Sequence, residues 1–169
     1  VDLESSCSSL FVDTARDRIV AWREGRCIRA PEFLADIHRV AEMLPAAGYA
    51  INLCEDRYAF IVAFCAVASR GKATLLPTSR ALQAIADVQS NHPDSYLLGD
   101  AGCNVGLPGL IQLPALGASH ANENGALPDI AEEQIVAIGF TSGSTGLPKP
   151  NTKTWRNFRL GSANNITTI

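Results

Sequence analysis

The sequence has no apolar run long enough to cross a membrane. Its longest, Tyr58 to Ser69, is flanked by Arg57 and Arg70 and falls well short of the ~20 residues a spanning helix needs. Nor does the chain open like a secretory signal: Val1-Asp2-Leu3-Glu4 is acidic, where a signal peptide has a basic start and an apolar core. A basic excess is missing too. With 14 Lys+Arg against 17 Asp+Glu, the net charge is −3, which excludes nucleic-acid binding of the basic-stripe kind. Charged residues make up only 18% and hydrophobic ones 47%, a composition that excludes a solvated tail. The five cysteines (Cys7, Cys27, Cys54, Cys65, Cys103) are odd in number and contain no Cys-x-x-Cys. His38, His92 and His120 stand at no metal-ligand spacing from them. No metal site is assigned, and the thiols read as buried or incidental ones of a reducing compartment. What remains, at 169 residues, is about one globular domain of cytoplasmic type.

Hydrophobic patterning gives that domain an α/β class. The first 29 residues read as a short helix and one or two strands, with a turn around Gly25. Pro31 sits where a first helical residue lacks no needed donor. Phe33, Ile37, Val40, Ala41 and Leu44 then follow at helical spacing until Pro45. Tyr49 to Cys54 reads as a buried strand. Arg57 to Arg70 reads as a helix apolar almost all round, and so covered on more than one side, with Gly71 at its left-handed end. A strand over Ala73–Leu76, a helix around Leu82, Ile85 and Ala86 ending near His92-Pro93, and a strand over Ser95–Leu98 complete the series. Residues 99–128, with six Gly and three Pro, read as a long irregular connection. Gln134 to Phe140 is a continuous apolar strand of the kind found in parallel sheets covered on both faces, and Trp155 to about Ala163 reads as a last helix. Alternating strands and helices predict a mostly parallel sheet flanked by helices.

Directly after the apolar strand comes Thr141-Ser142-Gly143-Ser144-Thr145-Gly146-Leu147-Pro148-Lys149-Pro150. Glycines let backbone N–H groups approach an anion closely, hydroxyls add rotatable donors, and Lys149 adds a point charge. A loop at the carboxyl end of a sheet strand lies where α/β proteins bind ligands. All 17 acidic residues precede Thr141, whereas Lys149, Lys153, Arg156 and Arg159 follow it, so the end of the chain suits an anion. The pattern fits neither G-x-x-x-x-G-K-[ST] nor G-x-G-x-x-G. Residues 141–150 read as a polyphosphate-holding loop.

The order Thr-Ser-Gly-Ser-Thr-Gly-Leu-Pro-Lys resembles the signature loop of the AMP-forming acyl-activating superfamily: acyl- and aryl-CoA synthetases, peptide-synthetase adenylation domains and luciferases. The strand over 130–138 is similar to the one that precedes the loop in that family. Thr154-Trp155-Arg156-Asn157-Phe158 falls where the family often has Thr-His-Arg-Asn-Leu, and Arg57 to Pro77 resembles its apolar helix, glycine and short strand. Two departures stand out: Pro150 replaces the usual glycine and Trp155 the usual histidine, so the histidine's role does not carry over.

The resemblance implies ATP-dependent activation of a fatty or aryl carboxylic acid as an acyl-adenylate, with Mg²⁺, then transfer to a thiol of CoA or of an acyl carrier protein's phosphopantetheine. It makes Thr141, Ser142, Gly143, Ser144, Thr145 and Gly146 the phosphate cradle and Lys149 the charge that screens the outer phosphates. The family's nucleoside-binding segments, metal-linked glutamate and catalytic lysine lie downstream of this stretch. Residues 1–169 are therefore expected to be one incomplete N-terminal portion, inactive alone, with no catalytic residue of its own and with uncovered surfaces that favour self-association. Two other readings of the loop are a flavodoxin-like FMN module, in which it would hold one phosphate, and a non-catalytic assembly domain. Glu55-Asp56 read as helix capping, Glu132-Glu133 as a solvated approach to a strand, Trp155 as core, and Lys153, Arg156 and Arg159 as a wet helix face.

Overall fold

The computed structural model describes residues 7–9, 18–103, 106–117, 128–141 and 149–166. In chain order the elements are β1 (Cys7–Ser9), β2 (Ile19–Arg23), β3 (Arg26–Arg29), α1 (Ala30–Met43), β4 (Tyr49–Asn52), α2 (Arg57–Ser69), β5 (Ala73–Leu76), α3 (Leu82–Asn91), β6 (Ser95–Gly99), β7 (Leu110–Gln112), β8 (Asp129–Ala131), β9 (Ile135–Thr141), β10 (Lys149–Thr154) and α4 (Trp155–Ile166). Six strands form one sheet in the order β10-β9-β5-β4-β6-β7. Every neighbouring pair from β9 to β7 is parallel; β10 alone runs antiparallel to β9. The mostly parallel α/β sheet expected from the sequence is present.

Both faces of this sheet are covered, as its apolar strands require. Side chains alternate across the pleat. Ala50 and Leu98 pack with Phe33, Ile37 and Val40 of α1 and with Val62 and Ala66 of α2. Ile51, Leu75, Leu97 and Ile138 meet Ile85 and Val88 of α3 on the opposite face. Helix α2 is fixed at both ends by local chemistry. The Asp56 carboxylate accepts from Ala59 N at 2.8 Å, the expected N-cap. Gly71, at φ +71°, closes the other end, with its own N–H donating to Ala68 O and the Lys72 N–H to Val67 O, the paired bonds of a Schellman ending. Open space surrounds the position of a Gly71 Cβ, so Gly71→Ala carries only the left-handed backbone cost. The expected loss is ~1–2 kcal/mol, measurable as a lowered urea midpoint with unchanged m.

Three segments differ from the sequence reading. The short helix expected within the first 29 residues is not found among the described ones, and residues 1–6 and 10–17 lie outside them. The strands expected there form a hairpin, β2–β3, whose turn residues Glu24 (φ 51°) and Gly25 (φ 77°) are both left-handed, as a type I′ turn requires. The 99–128 connection is not irregular throughout, because residues 110–112 add β7 to the sheet edge beside β6. Beyond it, carbonyls of Ala115, Leu116 and Gly117 accept from Arg39, Arg23 and Arg26, and residues 118–127 lie outside the described part. Finally, the chain does not pass from the loop directly into a helix, since Lys149–Thr154 form β10. This polar, Pro-containing stretch has little strand propensity. It pairs because β9 offers it a free edge, and an edge strand tolerates Pro150.

Because β4, β5, β6 and β9 are parallel, their carboxyl ends share one edge of the sheet. There the exits of the adjacent strands β4 and β5 diverge, one to α2 and the other to α3 on the opposite face. Such a divergence opens the crevice where α/β folds bind ligands.

Candidate phosphate-binding edge

Strand β9 delivers the loop to that edge. Val136, Ala137 and Ile138 are buried between β5 and β10, and Thr141 emerges exposed at the carboxyl end. Thr141 stands directly opposite Lys149, and its Oγ1 donates to the Lys149 carbonyl at 3.4 Å. The two ends of the expected cradle are thus brought face to face across an antiparallel pair. Ser142, Gly143, Ser144, Thr145 and Gly146 lie outside the described residues, as do Leu147 and Pro148. Phe140, just before Thr141, packs edge-on against His92 at 5.7 Å. His92 ends α3, its N–H donating to Val88 O and Gln89 O. The far end of the loop enters β10, where the register puts Lys149, Asn151 and Lys153 on one face of an exposed edge strand.

Helix α4 anchors this hairpin. Thr154 N donates to Asn157 Oδ1 at 2.9 Å, and Asn157 N donates to Thr154 Oγ1 at 3.4 Å, a reciprocal cap in the manner of a capping box. Trp155 is buried against Ala68, Ile130 and Val136, as its core reading anticipated. Its backbone N–H donates to Gln134 O and that of Arg156 to Glu132 O. Thr154, Trp155, Arg156 and Asn157 are accordingly a structural joint.

Two expectations are corrected here. Glu132 is not a solvated approach residue: its side chain is largely covered and pairs with both Arg156 (3.1 Å) and Arg159, while Glu133 takes a second Arg156 nitrogen at 2.8 Å. Arg156 and Arg159 are therefore not a free wet face, because carboxylates from the β8–β9 turn already hold them. Of the four cations after Thr141, Arg156 and Arg159 are thus taken up, and Lys149 and Lys153 form no ion pair among the described residues. Since both arginines are about half exposed, Glu132→Gln should cost only ~1 kcal/mol. Urea titrations at low and high salt should show that difference shrinking as salt rises.

Beside the loop, the other strand ends form a network that the sequence did not reveal. Buried Asp100, just past β6, accepts from Glu55 N (2.9 Å) and Asp56 N (2.7 Å) through Oδ2. It thereby fixes the β4–α2 turn from the end of the neighbouring strand. Arg80 spans the crevice from the β5 exit, donating to the Cys54 carbonyl and pairing with Glu55 at 3.2 Å. Glu55 is thus a partner of Arg80, and Asp56 alone is the cap. Burial, more than the neighbouring Asp100 charge, pushes the Cys54 thiol up to about 12, and burial alone does the same to Cys65. Among Cys27, Cys54, Cys65 and Cys103, only Cys27 is partly exposed. In the folded chain at pH 7.5 it should be alkylated by iodoacetamide much faster than Cys54, Cys65 or Cys103. Peptide mass spectrometry checks this, and equal labelling of Cys65 would contradict it.

Among the described residues no group of three or more His, Cys, Asp or Glu could hold a metal ion, and no helix is long and apolar enough to cross a membrane. The loop joins two strands, not a first strand and a helix, so the flavodoxin-type placement is not found.

No protein-family model and no curated protein matches the sequence. Solved structures do match the fold. o-Succinylbenzoate CoA synthetase (MenE) from Bacillus subtilis, bound to a product analogue, superposes with TM-score 0.70 at 20% identity, over 90% of this chain and 34% of its own. Apo MatB from Rhodopseudomonas palustris gives 0.62 at 20% identity, over 82% of this chain and 32% of that one. McyG A-PCP with phenylalanyl-adenylate gives 0.60 at 19%, over 80% and 28%. This chain thus has the α/β fold of the N-terminal part of acyl-adenylating enzymes and spans about a third of the length of the structures it matches.

Proposed function

We propose that this chain supplies the polyphosphate-holding loop of an AMP-forming ligase that activates a carboxylic acid. The observation that carries this reading is the pairing of Thr141 with Lys149 at the carboxyl edge, in a fold shared with structures that hold AMP or an acyl-adenylate.

In the reaction, a carboxylate oxygen attacks the α-phosphorus of ATP, and the bond to the bridging oxygen breaks as pyrophosphate leaves. A thiol then displaces AMP from the acyl-adenylate. An ionised acid must approach a triphosphate, so the obstacle is negative charge. Donors from Thr141, Ser142, Gly143, Ser144, Thr145 and Gly146 would surround the β- and γ-phosphates and stabilise the charge that grows on departing pyrophosphate. They would also hold the α-phosphorus in line for attack, with Lys149 screening the outer phosphates. Mg²⁺ would enter with ATP, and no step is assigned to it. The activated acid is fatty or aryl, and the thiol belongs to CoA or to a carrier protein.

By itself the chain is proposed to bind polyphosphate without completing adenylation. Exposed Phe158 and Leu160 on α4 support self-association at high concentration, whereas Lys149, Pro150 and Lys153 discourage strand addition at the β10 edge. The test is calorimetric titration with pyrophosphate. Lys149 is exposed, so Lys149→Ala should leave folding unchanged and weaken binding about tenfold, ~1.4 kcal/mol. Equal affinity in the two proteins would contradict the assignment.

A further inference from the structure

Asp100 stands just past β6 with 8% of its surface exposed, and its two oxygens are in unlike surroundings. Oδ2 takes the Glu55 and Asp56 amides that lead into α2. Oδ1 is buried and has no hydrogen-bond partner. No Lys, Arg or His forms an ion pair with Asp100 among the described residues. A buried acceptor without a donor bears its full desolvation cost, and an isolated charge out of water costs more still.

Gly102 shows where this oxygen points. A Cβ at Gly102 would lie 3.5 Å from Asp100 Oδ1 and 3.6 Å from Glu55 Oε2. Oxygens of two carboxylates, 45 positions apart in sequence, therefore converge on the space beside one exposed glycine. Arg80 does not serve both of them. It pairs with Glu55 through the other oxygen, Oε1, and donates to the Cys54 carbonyl. Two like charges turned toward one point repel, and a positive charge between them relieves both. Water would supply the missing hydrogen bond and leave the repulsion in place.

We propose that Asp100 and Glu55 hold a hard divalent cation beside Gly102, a Mg²⁺ that keeps most of its water shell. Oxygen donors select hard cations, and Mg²⁺ is commonly bound through one or two carboxylates with waters completing the octahedron. Among the described residues no third Asp, Glu, His or Cys joins the pair, so water supplies the remaining ligands. This ion is separate from any Mg²⁺ that enters with ATP. Its ligands follow β4 and β6, which lie beyond β5 from β9, and it requires no phosphate. Bound there, it fastens the β6 exit to the β4–α2 turn at one wall of the crevice.

The test is calorimetric titration of the chain with MgCl₂ alone, without nucleotide or phosphate and at constant ionic strength so that screening does not change. One saturable site is expected, with a urea midpoint that rises as Mg²⁺ is added. Gly102 is not among the left-handed glycines, and its Cβ would make only ordinary contacts. Gly102→Ala should therefore match the wild-type midpoint without Mg²⁺, while its methyl takes the room of the ion's waters. Glu55→Gln keeps the side chain's shape and removes its charge. Each variant should weaken Mg²⁺ binding at least fivefold and cancel most of the midpoint rise. Amide shifts on adding Mg²⁺ should centre on Glu55, Asp56 and Gly102. Absence of saturable binding overturns the proposal, as does an affinity that either folded variant leaves unchanged, or shifts centred elsewhere. If Gly102→Ala does not fold, Glu55→Gln alone decides. Pyrophosphate binding lost with Mg²⁺ binding intact would instead refute the loop assignment alone.

Discussion

Asp36→Ala is expected to lower the unfolding free energy by ~3–5 kcal/mol, the cost of breaking a buried charged pair from one side. Asp36 is 2% exposed and its two oxygens serve three donors. Oδ2 accepts from the Tyr58 hydroxyl at 2.7 Å and from Gly117 N at 2.8 Å, and Oδ1 holds the Arg39 guanidinium. The alanine leaves a buried phenol, a backbone amide and a partly buried cation without their acceptor. It also removes the Gly117 tie to α1, leaving the 115–117 segment held by the arginine bonds to its carbonyls. Typical domains have only ~5–15 kcal/mol to lose, so the variant should sit near the margin of folding at 37 °C. Urea titration checks this. Asp36→Asn, which keeps an acceptor for one donor, should fall between the two. A loss under 1 kcal/mol for the alanine variant would contradict the network.

Alkali should unfold this chain unusually early. Burial is the largest cause in each of four groups. It pushes Cys54, Cys65 and Tyr96 up to about 12 and Tyr58 further still, with the Asp36 hydrogen bond adding to the last. In the unfolded chain the thiols ionise near 9.0 and the phenols near 10.0. Above those values the native state holds more protons than the unfolded one, so stability falls as pH rises. The contribution is fully present below pH 9 and is lost as pH climbs toward the folded values. Each group contributes a slope of ~1.4 kcal/mol per pH unit once its unfolded form has ionised. By pH 11 the four together remove ~8 kcal/mol, comparable to the whole stability of an ordinary domain. Urea midpoints should be flat from pH 6 to 8 and collapse between pH 9 and 11. Cys65→Ala should flatten the decline by about one proton's slope. A midpoint unchanged to pH 10.5 would show that these groups are not held protonated.

The elements that could be read from the chain are those whose cause is local. The α2 run from Arg57 to Ser69 is apolar on every side and ends at Gly71, so its burial and its stop are both written in sequence. β9 is similarly plain, and the turn at Gly25 needs only a left-handed pair. β10 escaped because Lys-Pro-Asn-Thr-Lys-Thr has no apolar alternation, and pairing with β9 is what makes it a strand. Asp36 and Asp100 escaped for another reason. Their partners, Gly117 and the Glu55–Asp56 amides, are 81 and 44–45 positions away, and no spacing rule reaches so far. At the candidate site the order of residues named the loop and its lysine. The neutralisation of Arg156 and Arg159 by Glu132 and Glu133 became visible only when the β8–β9 turn met α4.

The grip of residues 141–149 on a polyphosphate is open to a residue-resolved experiment. Pyrophosphate, then ATP, is added to isotope-labelled chain while backbone amide resonances are followed by NMR. The largest shifts should fall on Thr141 through Gly146 and on Lys149, should saturate with both ligands, and should weaken in Lys149→Ala. Shifts centred elsewhere, or none at millimolar pyrophosphate, would mean that this edge of the sheet does not hold the anion.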